Sequence, residues 1–92
     1  MYIFFKPTNE IFREFDNYEI WPCVLLSPTD PSDCEMYINV NNIDDPNIAF
    51  WSIYGHLQIG GLECISDHET FDEAKEFMAT LPPMPFTPIT PF

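Results

Sequence analysis

Two histidines (His56, His68), three cysteines (Cys23, Cys34, Cys64) and fifteen carboxylates give this 92-residue chain the atom types of a metal or catalytic site. Structural zinc needs thiolates and imidazoles in paired spacings such as C-x-x-C. The cysteines here are odd in number, widely spaced and contain no such pair, which argues against a zinc ribbon and against a disulfide framework. The stretch DPSDCE offers Asp30, Asp33 and Glu35 as oxygen ligands, yet it lacks the glycine and closing glutamate of a calcium loop. Nucleophilic catalysis requires an activated thiol or hydroxyl beside a base. Cys64 with His68 is a conceivable pair, but Cys64 alternates with Glu63 in a predicted strand that turns the thiol inward. With so many carboxylates, chance proximity dilutes any acid–base pair, and no glycine-rich phosphate loop is present. The sequence therefore predicts no enzyme, no metal and no cofactor.

Charge is more informative. Against fifteen Asp and Glu stand only Lys6, Arg13 and Lys75, for a formal net charge of −12. Such a surface repels phosphate backbones and anionic lipid, so neither nucleic acid nor membrane is expected as a direct partner and a basic protein surface is. The carboxylates fall into three groups: Asp30, Asp33 and Glu35; Asp44 and Asp45; and Glu69, Asp72, Glu73 and Glu76. A unipolar field of this kind steers a basic partner and speeds encounter, although acids at the start of a helix also serve simply to solvate it and favour its positive end. Phe50, Trp51 and Tyr54 lie on one predicted strand, whose faces alternate, so all three cannot enter one core. Trp51 and Tyr54 are therefore expected, with the acids, among the partner-binding residues.

These side chains must be positioned by a small number of elements. Ninety-two residues make one domain with a thin core, here enriched in aromatics. TNEIFREFD (8–16) has apolar residues at helical spacing behind Thr8 or Asn9 and predicts a short helix. EIWPCVLL (19–26) is rich in strand formers but contains Pro22, so a strand there should lie at an edge or begin after the proline. SPTDPSD (27–33) reads as a loop. CEMYINV (34–40) alternates with period two, and AFWSIYGHL (49–57) is the strongest strand of the chain. The latter forms a hairpin with LECIS (62–66), turning near Gly60 and Gly61. Thr70-Phe71-Asp72-Glu73 has the pattern of a capping box, followed by Phe71, Ala74, Phe77 or Met78, and Leu81 on one helical face and then by Pro82. The expected fold is α+β: an antiparallel sheet of three to four strands with one C-terminal amphipathic helix on one face. Its domain spans 1–81, and a proline-rich tail spans 82–92.

In that tail, PPMPFTPITPF, Pro82, Pro85, Pro88 and Pro91 recur every third residue, as do Pro83, Phe86, Ile89 and Phe92. A polyproline II helix has about three residues per turn, so one stripe is proline and the next is largely apolar. Ordering its six non-proline residues costs about as much as burying Phe86, Ile89 and Phe92 returns. Docking of the tail on its own domain is expected by a narrow margin over display as a PxxP ligand, which usually carries a basic flank. The N-terminal MYIFFKP is too short an apolar run for a signal peptide, and no stretch approaches the roughly 20 apolar residues of a membrane span. Unpaired cysteines fit a reducing cytoplasm.

The stretch FWSIYGHLQIGGLECISDHETFDEAKEFMATL (50–81), a hairpin running into a capped helix, is similar in style to small phage and mobile-element proteins. With the acidity and size of the chain, it resembles the class of phage-encoded inhibitors of host defence, anti-CRISPR proteins above all. That resemblance implies a stoichiometric inhibitor, monomeric or dimeric, in the host cytoplasm. It would bind a subunit of a CRISPR-Cas surveillance complex and block DNA binding, with carboxylates imitating phosphates as a DNA mimic. An immunity protein neutralising a basic nuclease toxin would share the same acidity and size, and a module displaying its PxxP tail is the third reading.

Overall fold

A computed structural model of the chain describes residues 14–30 and 33–92, together with the backbone of residues 2–3. The strands are β1 (Tyr2–Ile3), β2 (Phe15–Leu25), β3 (Cys34–Met36), β4 (Phe50–Leu57) and β5 (Leu62–His68), followed by helix α1 (Phe71–Met78). All pair antiparallel in the order β1-β5-β4-β2-β3. Helix α1 packs across β2, β4 and β5. This is the expected α+β class, with four principal strands and the two-residue β1 added at the β5 edge.

Alternation assigns the two faces of the sheet. Tyr18, Ile20, Trp51 and Ile53 point to the helix and join Phe15, Ile65, Phe71, Ala74 and Leu81 in the core. The β4–β5 register shifts between Ile53 and Tyr54, which places the extra residue, Ile65, fully buried in that core. Glycines at 60 and 61, with φ of 100° and 90°, make the hairpin turn where their freedom is needed. Thr70 caps α1 by accepting the Glu73 amide at 3.1 Å, an interaction that stabilises by about 1 kcal/mol.

Three expectations need correction, and one proline explains two of them. Pro22 lies within an eleven-residue strand flanked by β4 and β3, neither at an edge nor before its start. A residue's N–H and C=O point to the same side of a strand, and the Pro22 carbonyl accepts Tyr37 N on the β3 side at 2.7 Å. Its missing N–H therefore faces away from β4, and the central ladder loses nothing. The same geometry ends β3 at Met36 instead of Val40: Tyr37 would be the next hydrogen-bonded partner, and Pro22 has no hydrogen to return. Thirdly, Phe15 and Asp16 belong to β2 and not to a helix. Residues 8–13 of that predicted helix lie outside the described residues.

The outer edge of β2 is covered in two halves. β3 takes the half from Cys23 to Leu25. Residues of the tail take the other: Phe86 N bonds Asp16 O at 3.2 Å, Ile89 N bonds Tyr18 O at 3.0 Å and Ile20 N bonds Ile89 O at 2.9 Å, while Tyr18 donates its hydroxyl to Pro82 O at 2.6 Å. Unpaired edge groups invite association with other chains, and here the tail satisfies them. Phe86, Ile89 and Phe92 remain 62%, 45% and 47% exposed. Among the described residues no helix is long and apolar enough to cross a membrane.

Candidate functional site

Antiparallel connectivity gathers the carboxylates. β2 ends, β3 and β4 begin and β5 ends at the same end of the sheet. The turn carrying Asp30 and Asp33, the start of β3 with Glu35, the loop with Asp44 and Asp45, and the junction with Glu69 and Asp72 all lie there. Two of the three groups meet in one groove of about 350 Å³, with Asp44, Asp45, Glu69 and Asp72 around it. Apolar lining comes from Ile43, Ile48, Trp51 and Phe71.

One wall is a self-bonded loop, NNIDDPN. Asn42 accepts the Asp44 amide on its side chain at 2.9 Å and the Asp45 amide on its carbonyl at 3.0 Å. Asp45 in turn accepts the Asn47 amide at 2.9 Å and the Tyr37 hydroxyl at 2.8 Å. These bonds, the Asn47 amide foremost, hold the Asp45 carboxyl below its ordinary range and keep it ionised. The other wall is the first turn of α1. Between them Trp51 and Phe71 pack with centroids 4.8 Å apart and planes tilted by 36°. The Phe71 ring already receives an ammonium, since Lys75 Nζ lies 5.2 Å from its centroid.

Methylene-friendly walls, aromatic faces and carboxylates at the mouth fit a lysine or arginine side chain, whose stem is apolar and whose tip is charged. No family model, curated protein or solved structure matches the chain. The chemistry of the groove thus has to be read from its own residues.

The remaining expected contact residues are distributed differently. Trp51, expected to face a partner, is 3% exposed and belongs to the core beneath α1, reaching the groove only as part of its lining. Tyr54 points to the opposite face of the sheet, where its hydroxyl lies 3.6 Å from Cys23 Sγ. Glu73 meets His68 Nδ1 at 3.3 Å instead of closing the capping box, and Glu76 is exposed on α1 beyond the groove. The sequence singles out neither Ile43 nor Ile48, and Phe71 only as part of the apolar face of α1. A signal existed: residues just before β4 and just after β5 must be neighbours once those strands form a hairpin.

Two polar networks lie away from the groove. On the sheet face opposite α1, Ser52 Oγ donates to Asp67 Oδ1 at 2.5 Å, with Cys23 Sγ 3.4 Å from Ser52 Oγ and Cys64 Sγ 3.8 Å from Asp67 Oδ1. Burial, reinforced by the Asp67 charge, pushes the Cys64 thiol up to about 12, and burial also raises Cys23 and Cys34. Neutral thiols are poor nucleophiles and poor metal ligands, and among the described residues no group of three His, Cys, Asp or Glu is placed to hold a metal. Cys64 and His68 face opposite sides of the sheet and form no pair. On the helix side, Ser66 Oγ lies 2.8 Å from His68 Nε2 and the same ring meets Glu73. Hydroxyl, imidazole and carboxylate follow one another as in a hydrolase triad, but Ser66 is wholly buried and the His68 ring is covered by Phe77 at 5.0 Å. This chain of bonds ties α1 to β5.

The raised thiol sets an alkaline limit. Unfolded Cys64 ionises near its ordinary value of 9.0 while folded Cys64 keeps its proton to about 12, and burial holds Tyr18 protonated to about 12 against 10.0. The unfolded state then releases protons first, so stability present below pH 9.0 is lost progressively towards pH 12. Thermal melting followed by circular dichroism from neutral pH upward should show Tm falling across that window, with a shallower fall in Cys64→Ser.

Proposed function

We propose that the protein is a non-catalytic inhibitor of the anti-CRISPR type, acting in the host cytoplasm, that binds a basic, nucleic-acid-binding protein surface through the acidic end of its sheet. The observation that carries this reading is the groove in which two acidic groups, 24 or more positions apart in the chain, meet on an apolar lining. Apolar contact supplies affinity at the centre of an interface, and charge at its rim supplies specificity and rate. Ile43, which lines the groove, is 42% exposed and gives a partner an accessible apolar wall there. Three free cysteines accord with a reducing compartment.

The test is capture of a CRISPR surveillance complex from a host lysate by tagged protein, at rising salt and with duplex DNA as competitor. Asp44, Glu69 and Asp72 are exposed, unlike the loop-bonded Asp45, so reversing those three to lysine changes the charge of the groove without breaking the bonds of its loop wall, and circular dichroism checks that α1 persists with a lysine in its first turn. Affinity should fall by about tenfold or more and the residual binding should lose its salt dependence. Displacement by DNA supports phosphate mimicry at the DNA groove. Undiminished capture by the reversed variant would sink the proposal.

A further inference from the structure

The tail and the groove share two aromatic rings. Phe92 lies 6.3 Å from Trp51 and 6.2 Å from Phe71, both edge-on, while those two rings pack on each other at 4.8 Å. Trp51 and Phe71 line the groove; Phe92 does not. It therefore packs on the pair from outside the groove's lining and completes a three-ring cluster. Its own position is set by the tail: Thr90 Oγ1 donates to the Phe92 carbonyl at 2.7 Å, and Phe86 and Ile89 are bonded to the β2 edge.

We infer that Phe92 is a positioning residue for the groove, and that docking of the tail on β2 and binding of a basic side chain in the groove are coupled. The inference rests on the groove being the binding site. With the tail in place the ring pair is braced by Phe92 and the groove is preformed, which spares the ligand the cost of ordering it. With the tail released, Trp51 and Phe71 gain room to reorient. The strap is held by three backbone bonds and the Tyr18 hydroxyl, and its Phe86, Ile89 and Phe92 are about half exposed, so its release is an event within reach of a partner or a protease. Coupling is reciprocal by linkage: a ligand in the groove must tighten the tail as much as the tail tightens the groove.

The experiment measures binding of a fluorescent oligolysine peptide to the full chain, to Phe92→Ala, to Phe92→Tyr and to a chain lacking residues 86–92. The indole N–H resonance of Trp51 and amide exchange at Ile20 and Ile89 are followed in parallel. Expected are about fivefold weaker binding in Phe92→Ala, at least as large a loss on deletion, recovery in Phe92→Tyr, a shifted Trp51 resonance in the two weakened variants, and slower exchange at Ile89 when peptide is added to the full chain. Equal binding by all four with an unmoved Trp51 resonance overturns the coupling alone. Tighter binding on deletion also overturns it, since the tail would then be a competitor. Failure of the full chain to bind overturns the groove reading and the coupling with it.

Discussion

Trp51→Ala should remove about 3–5 kcal/mol of stability, a large share of the 5–15 kcal/mol, roughly, that a domain of this kind holds in total. The indole is 3% exposed, packs on Phe71 and sits among Ile53, Ile20 and the buried face of α1. Truncation leaves a void that neighbouring rings cannot refill, because Phe71 is pinned at the first turn of a capped helix and Phe92 by its strap. Chemical denaturation should show a lower midpoint with an unchanged slope, the signature of lost stability without a changed unfolded state. Trp51→Phe keeps an aromatic in place and should lose clearly less. A tryptophan serving only as a partner contact would behave in the opposite way, costing affinity and almost no stability, and a loss below about 1 kcal/mol would return Trp51 to that role.

What the sequence disclosed depended on whether the signal was local. The Thr70 cap, the glycine turn at 60–61 and the alternation of β4 are decided by neighbours along the chain, and each stands where the residues predict it. Pro22 misled because its cost depends on which side its absent hydrogen faces, and that is fixed only once β2 is sandwiched between β4 and β3. Period two establishes that Trp51 and Tyr54 point opposite ways, but not which of them meets α1; the helix chooses, through Phe71. Glu73 had the spacing for a capping box and was drawn to His68, a partner five residues back whose nearness comes from the β5–α1 corner. The groove was half legible. Its acids were visible as two separate clusters, and the hairpin that joins them was predicted as well; of the apolar lining, Trp51 and Phe71 were visible on their elements, whereas Ile43 and Ile48 were not, since they sit in a loop without periodicity.

Gly55→Ala is expected to destabilise the fold by about 1–3 kcal/mol through overpacking. A Cβ built on Gly55 would lie 2.5 Å from two ring atoms of Phe15 and 2.6 Å from a third, closer than side-chain carbons approach one another. The Phe15 ring thus occupies the place of the missing side chain. It cannot swing aside into water without giving up its burial at 3% exposure, nor inward, where the core of Tyr18, Ile53 and Ile65 is filled. The register of β2 on β4 shifts between Phe15 and Asn17, and this bulge is what turns Phe15 over the glycine, so the clash would be felt at the start of β2 and at the Asp16 carbonyl to which Phe86 of the tail is bonded. A double-mutant cycle checks the cause: Phe15→Leu removes the ring atoms that collide, and in that background Gly55→Ala should cost clearly less than in the native chain. Equal costs in both backgrounds would mean that the glycine is required for some reason other than the ring above it.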